Sequence, residues 1–164
     1  MKRCAIVTLL MVCVAASLAS PASALNGHIM VGVDRTGVNA GELYTIIGAE
    51  LQLTEKLFVG ATGALNEKGY EVRVRYGVES GLFGRAFIDE SGILNWNAGV
   101  FVQRPISERL GIRAMISIYG AEYEGTVYLY PDAHVGLRYH LSGPFALYSE
   151  ATAGSVSGAL AYEF

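Results

Sequence analysis

The sequence predicts an all-β chain: a transmembrane antiparallel up-and-down barrel of ten strands, with eight as the alternative, after a cleaved amino-terminal signal peptide. Three observations carry this prediction. Apolar and polar residues alternate with period two in segment after segment of about ten residues, parted by turn residues, as in a barrel wall with one apolar face. The amino terminus has the three parts of an export signal. The chain also ends on Leu160-Ala161-Tyr162-Glu163-Phe164, with apolar side chains at every second place and an aromatic last residue.

The first element is the signal. Lys2 and Arg3 form its positive head, Cys4 to Ala19 is an almost unbroken apolar run, and Ala22-Ser23-Ala24 is a small-x-small cleavage site. Residues 1–24 therefore read as the signal peptide and 25–164 as one barrel domain of about 140 residues. The apolar run is too short, and its flanks too signal-like, for a stable spanning helix. Both cysteines, Cys4 and Cys13, fall in the signal, so the mature chain has no disulfide and no thiol nucleophile. That composition suits passage through an oxidising compartment. Removing the signal leaves 10 basic against 15 acidic residues, a net charge of -5. A mildly acidic chain without a basic cluster has no electrostatic footprint for nucleic acid.

The strands follow in order at 27–35, 43–53, 57–65, 70–78, 82–89, 93–103, 110–120, 126–140, 145–152 and 157–164. Tyr70 to Glu79 shows the alternation most clearly: Tyr70, Val72, Val74, Tyr76 and Val78 share one face, and Glu71, Arg73, Arg75, Gly77 and Glu79 the other. The same pattern recurs over 94–103, 110–119 and 127–141. Eight strands result if 78–92 is a loop and one further weak segment drops out. An even number puts both termini on one side. Thr54–Lys56, Val78–Gly81, Arg104–Arg109 and Leu141–Pro144 are then periplasmic turns. Thr36–Glu42, Leu65–Gly69, Glu90–Gly92, Ala121–Gly125 and Ala153–Ser155 are external loops. These loops are too short for an adhesin, a phage receptor or a porin with a constriction loop. Open sheet edges are untenable in lipid, so the sheet must close.

With apolar faces outward, the lumen is lined by Glu50, Glu71, Arg73, Arg75, Arg85, Arg113, Asp132, His134, Arg138, His140 and Glu150. Both mature lysines, Lys56 and Lys68, sit in connections. Guanidinium forks can bond two carboxylates and tolerate partial burial better than ammonium does. The expectation is a cross-linked polar interior, because small barrels fill with side chains. A narrow, weakly ion-selective pore is the other reading. His134 and His140 share a strand face but lie about 20 Å apart, too far for one ion, so no metal and no cofactor is expected. The acidic pairs Asp89 with Glu90 and Glu122 with Glu124 read as solvated external tips. Tyr70, Tyr76, Tyr139, Tyr162 and Phe164 read as girdle aromatics at headgroup level.

The closing residues Leu160, Tyr162 and Phe164 resemble the membrane-assembly signal of bacterial outer-membrane β-barrels, and the whole mature chain resembles that superfamily of small barrels. Within it, Gly136 to Glu150 is similar to the penultimate hairpin of the YfaZ-like barrels, as is the start Leu25-Asn26-Gly27-His28. The resemblance implies a monomer in the Gram-negative outer membrane, in contact with its lipids and lipopolysaccharide. It also implies periplasmic chaperones and the barrel-assembly machinery as partners during biogenesis. A second resemblance is local. His140-Leu141-Ser142 with Glu150 is similar to the His-x-Ser pair and later Glu of the lipid A 3-O-deacylases, which implies a Ser142 nucleophile, a His140 base and a Glu150 orienter. Here Gly143 and Pro144 follow the serine in place of that family's Asn. The plainer reading is a turn serine after a lumen histidine, in a structural barrel or narrow pore that is not an enzyme.

Overall fold

The computed structural model describes residues 26–36, 42–65, 69–88 and 93–164. The expected signal segment 1–24, Lys68 and the pair Asp89 and Glu90 lie outside the described residues.

Ten antiparallel strands follow one another: β1 (Gly27–Thr36), β2 (Glu42–Gln52), β3 (Leu57–Ala64), β4 (Tyr70–Tyr76), β5 (Ser80–Ile88), β6 (Leu94–Pro105), β7 (Leu110–Tyr123), β8 (Thr126–Ser142), β9 (Phe145–Ala151) and β10 (Ser155–Glu163). Each pairs with its chain neighbours and β1 pairs with β10, so the sheet is a closed barrel. The number is ten, not eight, because 78–92 contains β5, hydrogen-bonded to β4 and β6 along its length. At the seam, Gly27 N–H donates to the Phe164 carbonyl at 2.9 Å and Phe164 N–H to the Gly27 carbonyl at 3.0 Å. The register then runs from His28 opposite Glu163 to Thr36 opposite Ser155. Closure leaves no strand of the wall as a free edge strand.

The pleat sorts the side chains. Large apolar residues such as Val31, Val72, Leu82, Val100, Ile116, Leu137 and Leu160 stand exposed on the outside, Ile116 to 68 %. The residues between them face a confined interior, where Phe101 is 1 % exposed. The exterior is thus more apolar than the lining, the reverse of a water-soluble barrel.

Turns at 53–56, 77–79, 106–109 and 143–144 share the rim of the two termini. On the far rim the expected loop Ala121–Gly125 is a two-residue turn. Glu124 (φ 50°) and Gly125 (φ 77°) are both left-handed, the backbone that matches the twist of a tight hairpin. Pairing therefore continues to Tyr123 opposite Thr126. β8 reaches 17 residues, and its first half is paired on the β7 side alone, since pairing to β9 begins at Val135. A second irregularity lies near the terminal rim. His140 pairs with Ala146 and Ser142 with Phe145, so Leu141 is an extra residue in a bulge. The bulge turns Ser142 to the outward side of Phe145, while His140 keeps the inward side of Ala146.

Candidate functional site in the barrel lumen

The inward positions of β2, β4, β5, β8 and β9 bring the charged residues together. On β4, Glu71, Arg73 and Arg75 stand at every second place and point inward. Glu50 of β2, Gly60 of β3 and Arg73 of β4 are direct cross-strand neighbours. Gly60 is what lets Arg73 cross β3, since a Cβ there would lie 2.8 Å from the Arg73 Nε. Arg73 thus comes within 3.8 Å of Glu50, and its Nη2 also donates to Thr62 Oγ1 at 3.3 Å.

A chain of alternating charge results. Arg75 Nη2 donates to Glu50 Oε1 at 3.2 Å. Arg73 bridges Glu50 and Glu71, at 3.8 and 3.9 Å. Glu71 lies 3.9 Å from Arg85, and Arg85 Nη1 donates to Glu150 Oε1 at 2.6 Å. Glu150 also meets His134 Nδ1 at 3.3 Å, and His134 Nε2 lies 2.9 Å from Asp132. The relay begins on β2 and β4 and ends on β8. Its Arg85–Glu150 link joins β5 to β9, which are not neighbours in the wall, so it crosses the lumen.

Apolar rings fill the space beside the relay. Phe83, Phe101 and Met115 form a buried cluster. Arg75 lies with its guanidinium 3.8 Å from the Phe58 ring centroid and 5.3 Å from that of Phe101. Arg85 sits 5.7 Å from the Phe83 centroid. Stacked guanidinium–ring pairs of this kind stabilise a cation away from water.

A separate cluster sits near the terminal rim. Arg138 grips Glu163 with a fork, Nε to Oε1 at 2.8 Å and Nη2 to Oε2 at 2.5 Å. Tyr148 O–H donates to the same carboxylate at 2.7 Å, and His140 Nδ1 lies 3.6 Å from it. Strands β8, β9 and β10 are tied there. The three residues of the deacylase-like element are placed apart in function. Glu150 takes its contacts from Arg85 and His134, His140 faces Glu163, and Ser142 is exposed on the other side of its strand.

Of the sequence-derived lumen residues, Glu50, Glu71, Arg73, Arg75, Arg85, Asp132, His134 and Glu150 join the relay. Arg138 and His140 join the rim cluster, and Arg113 stands apart, its Nε donating to Gln103 Oε1 at 3.2 Å. Sequence reasoning missed His28, Asp34, Phe58 and Phe83 as lining residues. Period-two spacing could have found two of them, since His28, Met30, Gly32 and Asp34 share one face of β1. Among the described residues no three potential metal ligands converge.

No protein-family model matches the chain, and no curated protein does. Among solved structures, a de novo designed transmembrane β-barrel matches with 17% identity and a TM-score of 0.47, over 85% of this chain and 95% of that one. The solution NMR structure of the designed barrel TMB2.3 matches with 17% identity and a TM-score of 0.47, over 85% and 94%. The attachment invasion locus protein Ail of Yersinia pestis, solved in complex with the heparin analogue sucrose octasulfate, matches with 8% identity and a TM-score of 0.32, over 85% and 96%. The fold assignment stands on this chain's own strand pairing.

Replacing Glu50 by Gln leaves Arg75 without a carboxylate and Arg73 with Glu71 alone inside the barrel. Removing one partner of a buried pair costs about 3–5 kcal/mol. The Arg104–Glu79 pair is solvent-exposed, and such pairs contribute roughly 0–1 kcal/mol. Urea titrations in lipid vesicles, followed by the fluorescence of the one tryptophan, Trp96, are expected to show a large loss for Glu50→Gln and almost none for Glu79→Gln.

Proposed function

We propose that this chain is an integral outer-membrane protein whose barrel serves as a structural element of the membrane, with a lumen closed to through-flow. The observation that carries the reading is the pairing of an apolar outer wall with an interior spanned by the Arg85–Glu150 link and the Phe83, Phe101 and Met115 cluster. A solvent-exposed band of Val, Leu and Ile on a closed sheet is stable in lipid and a liability in water. The polar lining is stable only if its charges neutralise one another. The relay does this for Glu50, Glu71, Glu150, Asp132 and their cationic partners.

A narrow pore is the second reading, favoured by one observation. A cavity of about 560 Å³ runs inside the wall from the 107–109 turn to Asp34 and Ser155 near the far rim. The relay and the aromatic cluster oppose it by occupying the remaining cross-section. Export by the 1–24 segment, assembly through Leu160, Tyr162 and Phe164, contact with lipopolysaccharide, a monomeric state and kinship with the YfaZ-like barrels belong to the same proposal. A lipid-acting enzyme is disfavoured, because His140 and Ser142 stand on opposite sides of β8.

Two measurements test it. Trp96 is on the outward face of β6 and 37 % exposed. In vesicles of brominated phosphatidylcholine its emission is expected to be strongly quenched; emission equal to that in unbrominated lipid would place the outer wall in water. In planar bilayers, insertion of the purified protein is expected to give no discrete conductance steps above the lipid baseline. Steady steps that survive dilution of the detergent would replace the closed lumen with the pore.

A further inference from the structure

Arg113 is an inward arginine that neither the relay nor the rim cluster takes up. It stands on β7 with Gly111 two places before it and Gly136 directly opposite on β8, so the lining around it is thin. Among the described residues no carboxylate lies within 4 Å of it, whereas Arg73, Arg75, Arg85 and Arg138 each have one. Its Nε–H is used by Gln103. The two terminal nitrogens, with four N–H groups between them, have no protein acceptor among the described residues. Those nitrogens are the face of a guanidinium that grips an oxyanion with two parallel bonds.

Arg113 lines the cavity of about 560 Å³, within the size range of small-molecule sites. Ser107, Glu108 and Arg109 at the terminal rim line the same cavity, which gives a route in from that side. His28 and Tyr148 also line it, with their rings stacked at a centroid distance of 4.9 Å. An ionised side chain at membrane depth with no counter-charge is costly unless a partner arrives, and such residues mark binding sites or pathways.

We infer that the lumen cavity is a binding site for a small organic monocarboxylate, with Arg113 as its anchor and the His28–Tyr148 ring pair as an apolar wall. One fork supplies one positive charge, which a monoanion neutralises. Asp34 also lines the cavity, with no cationic partner among the described residues, and its negative field disfavours a dianion such as inorganic phosphate. The size of the cavity admits a ring-bearing acid. The site rests on the closed-barrel reading only in needing an interior reachable from one rim. A through-current would overturn the closed lumen without touching this site, and absent anion binding would leave the closed lumen intact.

The test is calorimetric titration of the purified protein in detergent micelles with sodium benzoate, at constant ionic strength, with sodium phosphate as the comparison. Saturable one-to-one binding of benzoate is expected, with phosphate at least tenfold weaker. Arg113→Gln is expected to weaken benzoate binding at least tenfold, and Arg35→Gln, on the outward side of β1, to leave it unchanged. Gln103→Glu gives Arg113 an internal carboxylate of nearly the same shape and is expected to abolish binding while keeping the barrel folded. It therefore decides the matter even where Arg113→Gln does not fold. No saturable binding to the wild type, binding by Gln103→Glu equal to wild type, or phosphate binding tighter than benzoate would each overturn the inference.

Discussion

The pleat of a closed sheet sends every second side chain into one interior that no strand can avoid. In this barrel that space is too polar to be an oily core. Each inward charge must find a partner across the lumen or bear the cost of desolvation. The relay from Arg75 to Asp132 is the solution this sequence reaches. Its geometry depends on small residues as much as on charged ones: without Gly60, Arg73 would not lie across β3 to Glu50. It depends equally on arginine. A planar fork can serve Glu50 and Thr62, or Glu71 and Glu150, from one side chain, whereas a lysine ammonium is a hydrated point charge. Lys56, the lysine among the described residues, lies in the turn between β2 and β3.

The same constraint explains what could be read from the sequence. β4 was legible because its outward Tyr70, Val72, Val74 and Tyr76 alternate with Glu71, Arg73 and Arg75, so the two solvents of the wall are written in the residue types. β5 was nearly illegible, since Leu82, Phe83, Ala86, Phe87 and Ile88 put apolar residues on both faces and erase the period. Phe83 and Phe87 face inward because Arg85, Tyr119 and the Phe101 cluster give them partners there. An eight-strand alternative arose at that segment for this reason. Turn residues make Ala121 to Gly125 read as a five-residue external loop. The left-handed Glu124-Gly125 pair instead closes a two-residue hairpin. The side on which a residue stands follows from parity alone, whereas its partner does not. Arg85 and Glu150 lie 65 positions apart in the chain, and only the closure of the barrel makes them neighbours.

Glu163 shows how local and global constraints meet. By sequence it is a polar residue between the two apolar anchors Tyr162 and Phe164. In the barrel it receives Arg138 and Tyr148, so the strand that closes the wall is fixed from inside by β8 and β9 and from outside by the ring contacts of Tyr162 with Phe145 and Phe164. Backbone pairing to β1 closes the sheet, and the Glu163 cluster ties β10 to β8 and β9 beside that seam. The bulge at Leu141 sits beside this cluster and keeps His140 inward while releasing Ser142.

The central claim is that the lumen charges act as one coupled lattice that ties non-adjacent strands. A double-mutant cycle on Arg85→Gln and Glu150→Gln, read from reversible urea unfolding in phospholipid vesicles, tests it most directly. The account predicts strong coupling: each single variant strands a charge inside the barrel, and the double variant recovers most of the loss. Losses that simply add, within about 0.5 kcal/mol, would mean that the two residues are solvated independently and that the relay does not hold the barrel together.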